Sequence, residues 1–269
     1  VQISGLSHLP IKGPVTATPM TSGTANHVFH LQHESGEYVL KRFQFGQRFG
    51  LDRRQEVALQ RQLADLDLAP EILHFDYERG LVLMPYYADG DLTTAQLDDN
   101  QRLRELAEVL ARIHRVSVEM SPWSLKSRCS DYCEQLAEFD KKLAKQHRKT
   151  LQRFATLLNQ ACLHPVFCHH DVSFNHVLLA QPRRVIDWEY SGYGDRCFDL
   201  ASATTINNLS DQQSKSLINA YDGVSGELVD PVRVADWQAF SVWLNQLWFA
   251  LHRYLTKGEG NDEQGEATE

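Results

Sequence analysis

One stretch of the sequence, FCHHDVSFNHVLLAQPRRVIDWEYSGYGDRCFDLA over residues 167–201, gathers charged and polar side chains in an otherwise apolar setting. Asp171 follows a short apolar run and opens a loop, and Asp187 ends the run RRVI. If HVLLA (176–180) and RRVIDWE (183–189) are the arms of a hairpin turning at Gln181-Pro182, antiparallel pairing returns the chain to its start. Asn175 then meets Asp187, with Asp171 four residues before Asn175. Oxygen donors of this kind suit Mg²⁺, which takes one or two carboxylates and completes its shell with water and phosphate oxygens.

Two further residues have the right placement to join such a site. In EYVLKRF (37–43) strand alternation sets Val39, Lys41 and Phe43 on one face, so the lysine shares its side with apolar neighbours. In LDRRQEVALQRQLADL (51–66) the helical period puts Glu56 on the inward face with Leu59 and Leu63. An inward carboxylate needs a partner. Lys41 is the natural one, and Arg53 and Arg54 compete for the place.

The elements that position these residues fall into two groups. Residues up to about 90 read as strands around one helix: 27–33 and 37–43 flank the turn Glu34-Ser35-Gly36, and 71–77 and 81–87 straddle Arg79-Gly80. From 101 the pattern turns helical, over 101–116, 129–147, 149–162, 196–208, 211–222 and 231–256, with a small β island at 166–168, 176–180 and 183–189. This is an α+β plan in two lobes, 1–90 and 91–257, with a cleft between them. An acidic tail, 258–269, is expected to be disordered, since it carries five acidic residues, no Lys or Arg and almost nothing apolar.

The 269-residue chain is 42% hydrophobic and 23% charged, with a net charge of −8. That composition belongs to a globular protein and argues against a nucleic-acid partner. Five cysteines without a C-x-x-C pair fit reduced thiols in a cytoplasm better than a disulfide framework. The opening VQISGLSHLP has no basic, apolar leader pattern, and no run of about 18 apolar residues suggests a membrane span.

His169-x-Asp171 with Asn175, then Ile186-Asp187-Trp188-Glu189-Tyr190, Gly194-Asp195 and Phe198-Asp199-Leu200-Ala201, resembles the aminoglycoside phosphotransferase/choline kinase superfamily. These proteins have a protein-kinase-like fold and phosphorylate small molecules. The wording IDWEYSGYGD is closest to choline/ethanolamine kinases and bacterial thiamine kinases. The resemblance implies ATP and Mg²⁺ as cofactors and a small, cationic alcohol as substrate. It makes Asp171 the base that orients the acceptor hydroxyl, with His169 bracing the catalytic loop and Asp199 holding that loop from within. It makes Asp187 the metal carboxylate, Lys41 the phosphate cation, Glu56 its partner, and Ser22-Gly23-Thr24-Ala25-Asn26 a loop over the phosphates. Residues Met84 to Tyr87, Tyr86 among them, become a hinge facing adenine. Glu189 and Tyr190 are expected on the acceptor side, and Trp243 and Trp248 in an aromatic cage, unless that stripe of helix 240–255 is simply core.

The sequence departs from the pattern in two places. The superfamily asparagine falls five residues after the catalytic aspartate, where this chain has His176. Either the loop is one residue shorter and Asn175 is the ligand, which the hairpin reading favours, or His176 replaces it. The acid that choline kinases carry after the Phe-Asp segment is missing from SATTINNLS (202–210), which weakens choline relative to thiamine. An aminoglycoside or sugar-type acceptor and a non-catalytic nucleotide-binding protein are the competing expectations.

Overall fold

In this computed structural model, residues 6–20, 26–44, 48–160, 162 and 164–259 are described, with side chains of the last helix followed to Thr256. The expected loop residues Ser22, Gly23 and Thr24, and residues 260–269 of the tail, lie outside them.

The N-terminal lobe is an antiparallel sheet of β1 (Thr16–Met20), β2 (Asn26–His33), β3 (Gly36–Phe43), β4 (His74–Asp76) and β5 (Leu81–Pro85), in the order β1-β2-β3-β5-β4. Glu34 and Ser35 join β2 to β3, with His33 opposite Gly36. Alternation along β3 sends Leu40 into a cluster with Phe29, Leu31 and Leu83 on one face. Val39 and Phe43 pack on the other with Val57 of the helix α1 (Arg53–Asp65). Lys41 therefore faces α1. Asp52 caps this helix by accepting from the backbone N–H of Arg54 and Gln55. Leu59 and Leu63 of the same helix belong to the core of the second lobe, so α1 is wedged between two cores.

That second lobe is built from α2 (Asp99–Ile113), α3 (Leu125–Phe139), α4 (Lys141–Arg153), α5 (Ala155–Asn159), α6 (Arg196–Ile206), α7 (Asp211–Ser225) and α8 (Pro231–Glu259). Its β island holds two ribbons, β6 (Val166–Cys168) with β9 (Gly192–Gly194), and β7 (Val177–Leu178) with β8 (Arg184–Val185). Several boundaries differ from expectation for local reasons. The helix expected over 129–147 is broken at Asp140, which ends α3 and caps α4 through Leu143 N. The strand expected at 176–180 is only Val177–Leu178, because 174–176 form a 3-10 turn. The strand expected to run through 189 stops early because Asp187 turns left-handed, φ 71°.

Gly192 in β9 lies flat against Trp123, whose ring stacks on His170 at 4.6 Å. A Cβ at Gly192 would stand 2.7 Å from the indole. Gly192→Ala is expected to push Trp123 off His170 and cost about 1–3 kcal/mol, with a shift in tryptophan emission. Urea unfolding and fluorescence together check this, and unchanged values in both would contradict the packing described.

Candidate active site

Lys41 Nζ donates to Glu56 Oε1 at 2.9 Å and to Asp187 Oδ1 at 2.7 Å, joining β3, α1 and the turn after β8. Burial works against a charge on this lysine. The carboxylates of Asp187, Glu56 and Glu189 outweigh it and hold the ammonium well above its ordinary pKa. Burial likewise opposes charge on Asp187, and Lys41 with His176 overrides it, so Asp187 lies well below the usual carboxylate range.

Glu56 takes Lys41 and one of the two competing arginines, Arg53. Its second oxygen accepts from Arg53 Nη1 at 2.8 Å, and the same nitrogen reaches Glu189 Oε2 at 2.6 Å. Asn26 closes the group, accepting from Arg53 Nη2 and donating to Glu189. Two expectations change here. Glu189 was placed on the acceptor side, yet its carboxylate is 2% exposed and held by Arg53. Asn26, expected above the phosphates, is tied into the same cluster. The left-handed turn at Asp187 and the 3-10 turn after it (Trp188–Tyr190) aim the residues in ways that strand alternation does not foretell.

The loop after β6 is fixed from below. Asp199, fully buried at the start of α6, accepts from the backbone N–H of His169 at 3.0 Å and of His170 at 2.6 Å. His114 Nε2 donates to it at 3.0 Å, with Tyr221 OH on the other ring nitrogen. Burial opposes its charge, but these partners, His114 foremost, hold Asp199 well below the usual range. His169 donates from Nε2 to Ile186 O and accepts at Nδ1 from Asp171 N, so both ring nitrogens brace the loop. Asp171 sits at the rim of the cavity described below, and no side chain or backbone N–H among the described residues bonds its carboxylate. Burial and the carboxylates of Asp187, Glu189 and Asp199 raise it well above the usual range.

The hairpin mouth differs from the favoured reading. Since β7 begins at Val177, the residue one step before it is His176, and its carbonyl accepts from Ile186 N at 3.0 Å. His176 Nε2 lies 3.8 Å from Asp187 Oδ2. Asn175 lines the cavity nearby, with Oδ1 accepting from Ser173 Oγ at 2.6 Å. Ligand atoms of Asp171, His176 and Asp187 all lie within 4.8 Å of one another. Two carboxylates facing a cavity wide enough for phosphates are a donor set that fits Mg²⁺.

These residues open onto one cavity of about 810 Å³ between the lobes. Met84 and Tyr86 line one end, beside Lys41. The Tyr86 ring stacks on His30 at 4.0 Å and its N–H is committed to Glu37 O, so that N–H is not on offer to a ligand. At the other end stand Trp123, Arg128, Tyr132, Tyr190, Asn245, Trp248 and Phe249. Tyr190 OH accepts from Trp248 Nε1 at 2.8 Å. Trp243, expected beside Trp248, is instead core, packed on Phe154 and Phe240. Trp123 and Arg128 were not anticipated. They come from α3 and the loop before it, where no motif marked them. The guanidinium of Arg128 lies 5.0 Å from the Trp123 ring and 5.3 Å from that of Tyr190.

The sequence profile described as the phosphotransferase enzyme family matches residues 16–240, which include Lys41, Glu56, Asp171, His176, Asp187 and Asp199. The chain belongs to that family. As a member it is a small-molecule phosphotransferase, and its order of motifs is that of the aminoglycoside phosphotransferase/choline kinase superfamily. The LicA homolog of Mycoplasma capricolum subsp. capricolum is 19% identical over 190 residues, 69% of this chain and 70% of that one. The choline kinase LicA from Streptococcus pneumoniae shares the two-lobe fold at 20% identity and a TM-score of 0.70, over 98% of this chain and 90% of that one. A LicA structure in complex with AMP matches at 19% identity and a TM-score of 0.69, over 96% of this chain and 88% of that one. An ethanolamine kinase from Plasmodium vivax matches at 16% and 0.71, over 88% and 76%. Among the described residues no helix of this phosphotransferase is long and apolar enough to cross a membrane.

Burial, the largest influence on each, lowers both His169 and His170 to about 4. In the unfolded chain both protonate near about 6.5, so the unfolded state binds more protons between these values. Stability is then fully present above about pH 6.5 and is lost as pH falls toward 4. The urea midpoint should drop between pH 7 and pH 5, and His170→Asn, which suits the left-handed φ of 67° there, should flatten the drop. A midpoint constant over that range would contradict the neutral, buried imidazoles.

Proposed function

We propose that this phosphotransferase moves the γ-phosphate of ATP, with Mg²⁺, to the hydroxyl of a small cationic alcohol of the thiamine or choline/ethanolamine kind, in the cytoplasm. The observation that carries the reading is the sharing of one cavity by Lys41, braced on Glu56 and Asp187, and the open carboxylate of Asp171. A transferring phosphoryl group needs positioned charge more than covalent help. In this reading Lys41 meets the phosphate oxygens, and Asp187 with its neighbour at the hairpin mouth holds Mg²⁺, which neutralises charge on the phosphates. The acceptor oxygen attacks the γ-phosphorus, its proton passes to Asp171, and the β–γ bridging oxygen leaves with ADP. Burial and the neighbouring carboxylates raise Asp171, which makes its carboxylate a stronger proton acceptor.

The aromatic wall supports a flat or cationic acceptor, since ring faces attract cations. Arg128 already lies by the Trp123 and Tyr190 rings. The names of the LicA proteins and the ethanolamine kinase support the broader class of hydroxylated cations.

Asp171→Asn is expected to lower transfer by about 10²–10⁴ while ATP binding stays within a few-fold. In the wild type the rate should rise with pH along an acidic limb, because the base works only when deprotonated. Turnover of ATP with thiamine, choline, ethanolamine and an aminoglycoside, followed by product analysis, tests the assignment. A variant that keeps more than about a tenth of the wild-type rate would remove Asp171 from the role, and transfer to none of the four would sink the acceptor class.

A further inference from the structure

We propose that His176 supplies a nitrogen ligand, through Nε2, to the divalent cation that accompanies the nucleotide, so that the site holds Mn²⁺ or Co²⁺ more tightly than Mg²⁺. The proposal rests on the nucleotide-binding reading above and adds to it the chemistry of the metal.

Three observations converge on this ring. Its Nδ1 is 2.8 Å from the carbonyl oxygen of Asp171. A carbonyl can only accept, so Nδ1 carries the proton and the lone pair of the neutral ring resides on Nε2. Nε2 is the ring atom turned toward Asp187, 3.8 Å from Oδ2. That separation is longer than a hydrogen bond and leaves a common ion within reach of both atoms. Lastly, the backbone holds the ring in place, because Ile186 N donates to the His176 carbonyl directly before Asp187. A metal-bound histidine ordinarily donates its other N–H to a carbonyl or carboxylate, which sets tautomer and ring orientation. His176 has that arrangement already. Asn175, one residue earlier, has its amide oxygen engaged by Ser173 Oγ at 2.6 Å.

The consequence is selectivity. Mg²⁺ favours an all-oxygen shell, whereas first-row transition ions bind imidazole with an affinity that rises along the series, Co²⁺ more strongly than Mn²⁺. Mg²⁺ still serves through Asp187 and the phosphates, but it gains little from the ring.

Pulsed EPR on the full chain with Mn²⁺ and the non-hydrolysable analogue AMP-PNP reads the ligand directly. Phosphorus coupling reports that the ion sits on the nucleotide, and ¹⁴N modulation of imidazole type reports the ring. Calorimetry of AMP-PNP binding with Mn²⁺ and with Mg²⁺ gives the preference. We expect ¹⁴N modulation in the wild type, its loss in His176→Asn and His176→Gln, and its retention in Asn175→Ala. We also expect half-saturation at about tenfold less Mn²⁺ than Mg²⁺, with the gap shrinking several-fold in His176→Asn. Phosphorus coupling without ¹⁴N modulation in the wild type would overturn the proposal and leave nucleotide binding standing. Modulation that persists in folded His176→Asn would overturn it in favour of another nitrogen. Failure of AMP-PNP to bind with either ion would overturn both this proposal and the nucleotide reading.

Discussion

A buried ammonium must be compensated, and Lys41 draws its compensation from two carboxylates in different parts of the chain, Glu56 on α1 and Asp187 after β8. Glu56 is buried and Asp187 partly exposed, and loss of either would leave Lys41 under-compensated, so this contact sets the relation of the sheet, the helix and the turn after β8. Arg53 extends the same logic, joining Glu56 to Glu189 with Asn26 completing the group. The N-terminal lobe is thus fastened to the second lobe by alternating charges at the floor of the cleft. Leu59 and Leu63 of α1 add apolar packing on the far side of that floor.

Asp199 performs the corresponding task within the second lobe. One buried carboxylate satisfies two backbone N–H groups and His114, and so holds the left-handed residue His170 in place. With the loop pinned there, and the Asp171 backbone bonded to His169 and His176, its carboxylate lines the cavity with no hydrogen bond among the described residues. Rigidity beneath and freedom at the carboxylate are what a proton acceptor requires.

Much of this was legible because period and partner agree. Alternation in 37–43 sets Lys41 beside apolar residues, the 3.6 period in 51–66 turns Glu56 inward, and each lacks a partner without the other. The two-lobe plan follows from the switch of period near residue 90. What escaped depends on single-residue boundaries and on distant segments. A strand start at 177 instead of 176 exchanges Asn175 for His176 at the hairpin mouth. After the left-handed Asp187 the Glu189 carboxylate pairs with Arg53, while the residue still lines the cavity. Trp243 and Trp248 are five residues apart, about 140° around a helix, so one reaches the cavity while the other is core. Trp123 and Arg128 lie in α3 and the loop before it, and only tertiary packing brings them to the cavity.

The ammonium of Lys41, held by Glu56 and Asp187, is in the proposed function the cation that meets the nucleotide phosphates. Lys41→Arg tests it most directly, because charge compensation of the two carboxylates is kept while the position of the cation moves. The initial rate of phosphate transfer from ATP, measured beside thermal unfolding, gives the answer. The expected result is a fall of about 10²-fold or more, as misplacement by about 1 Å produces, with the unfolding midpoint nearly unchanged. A folded variant working at the wild-type rate would contradict it.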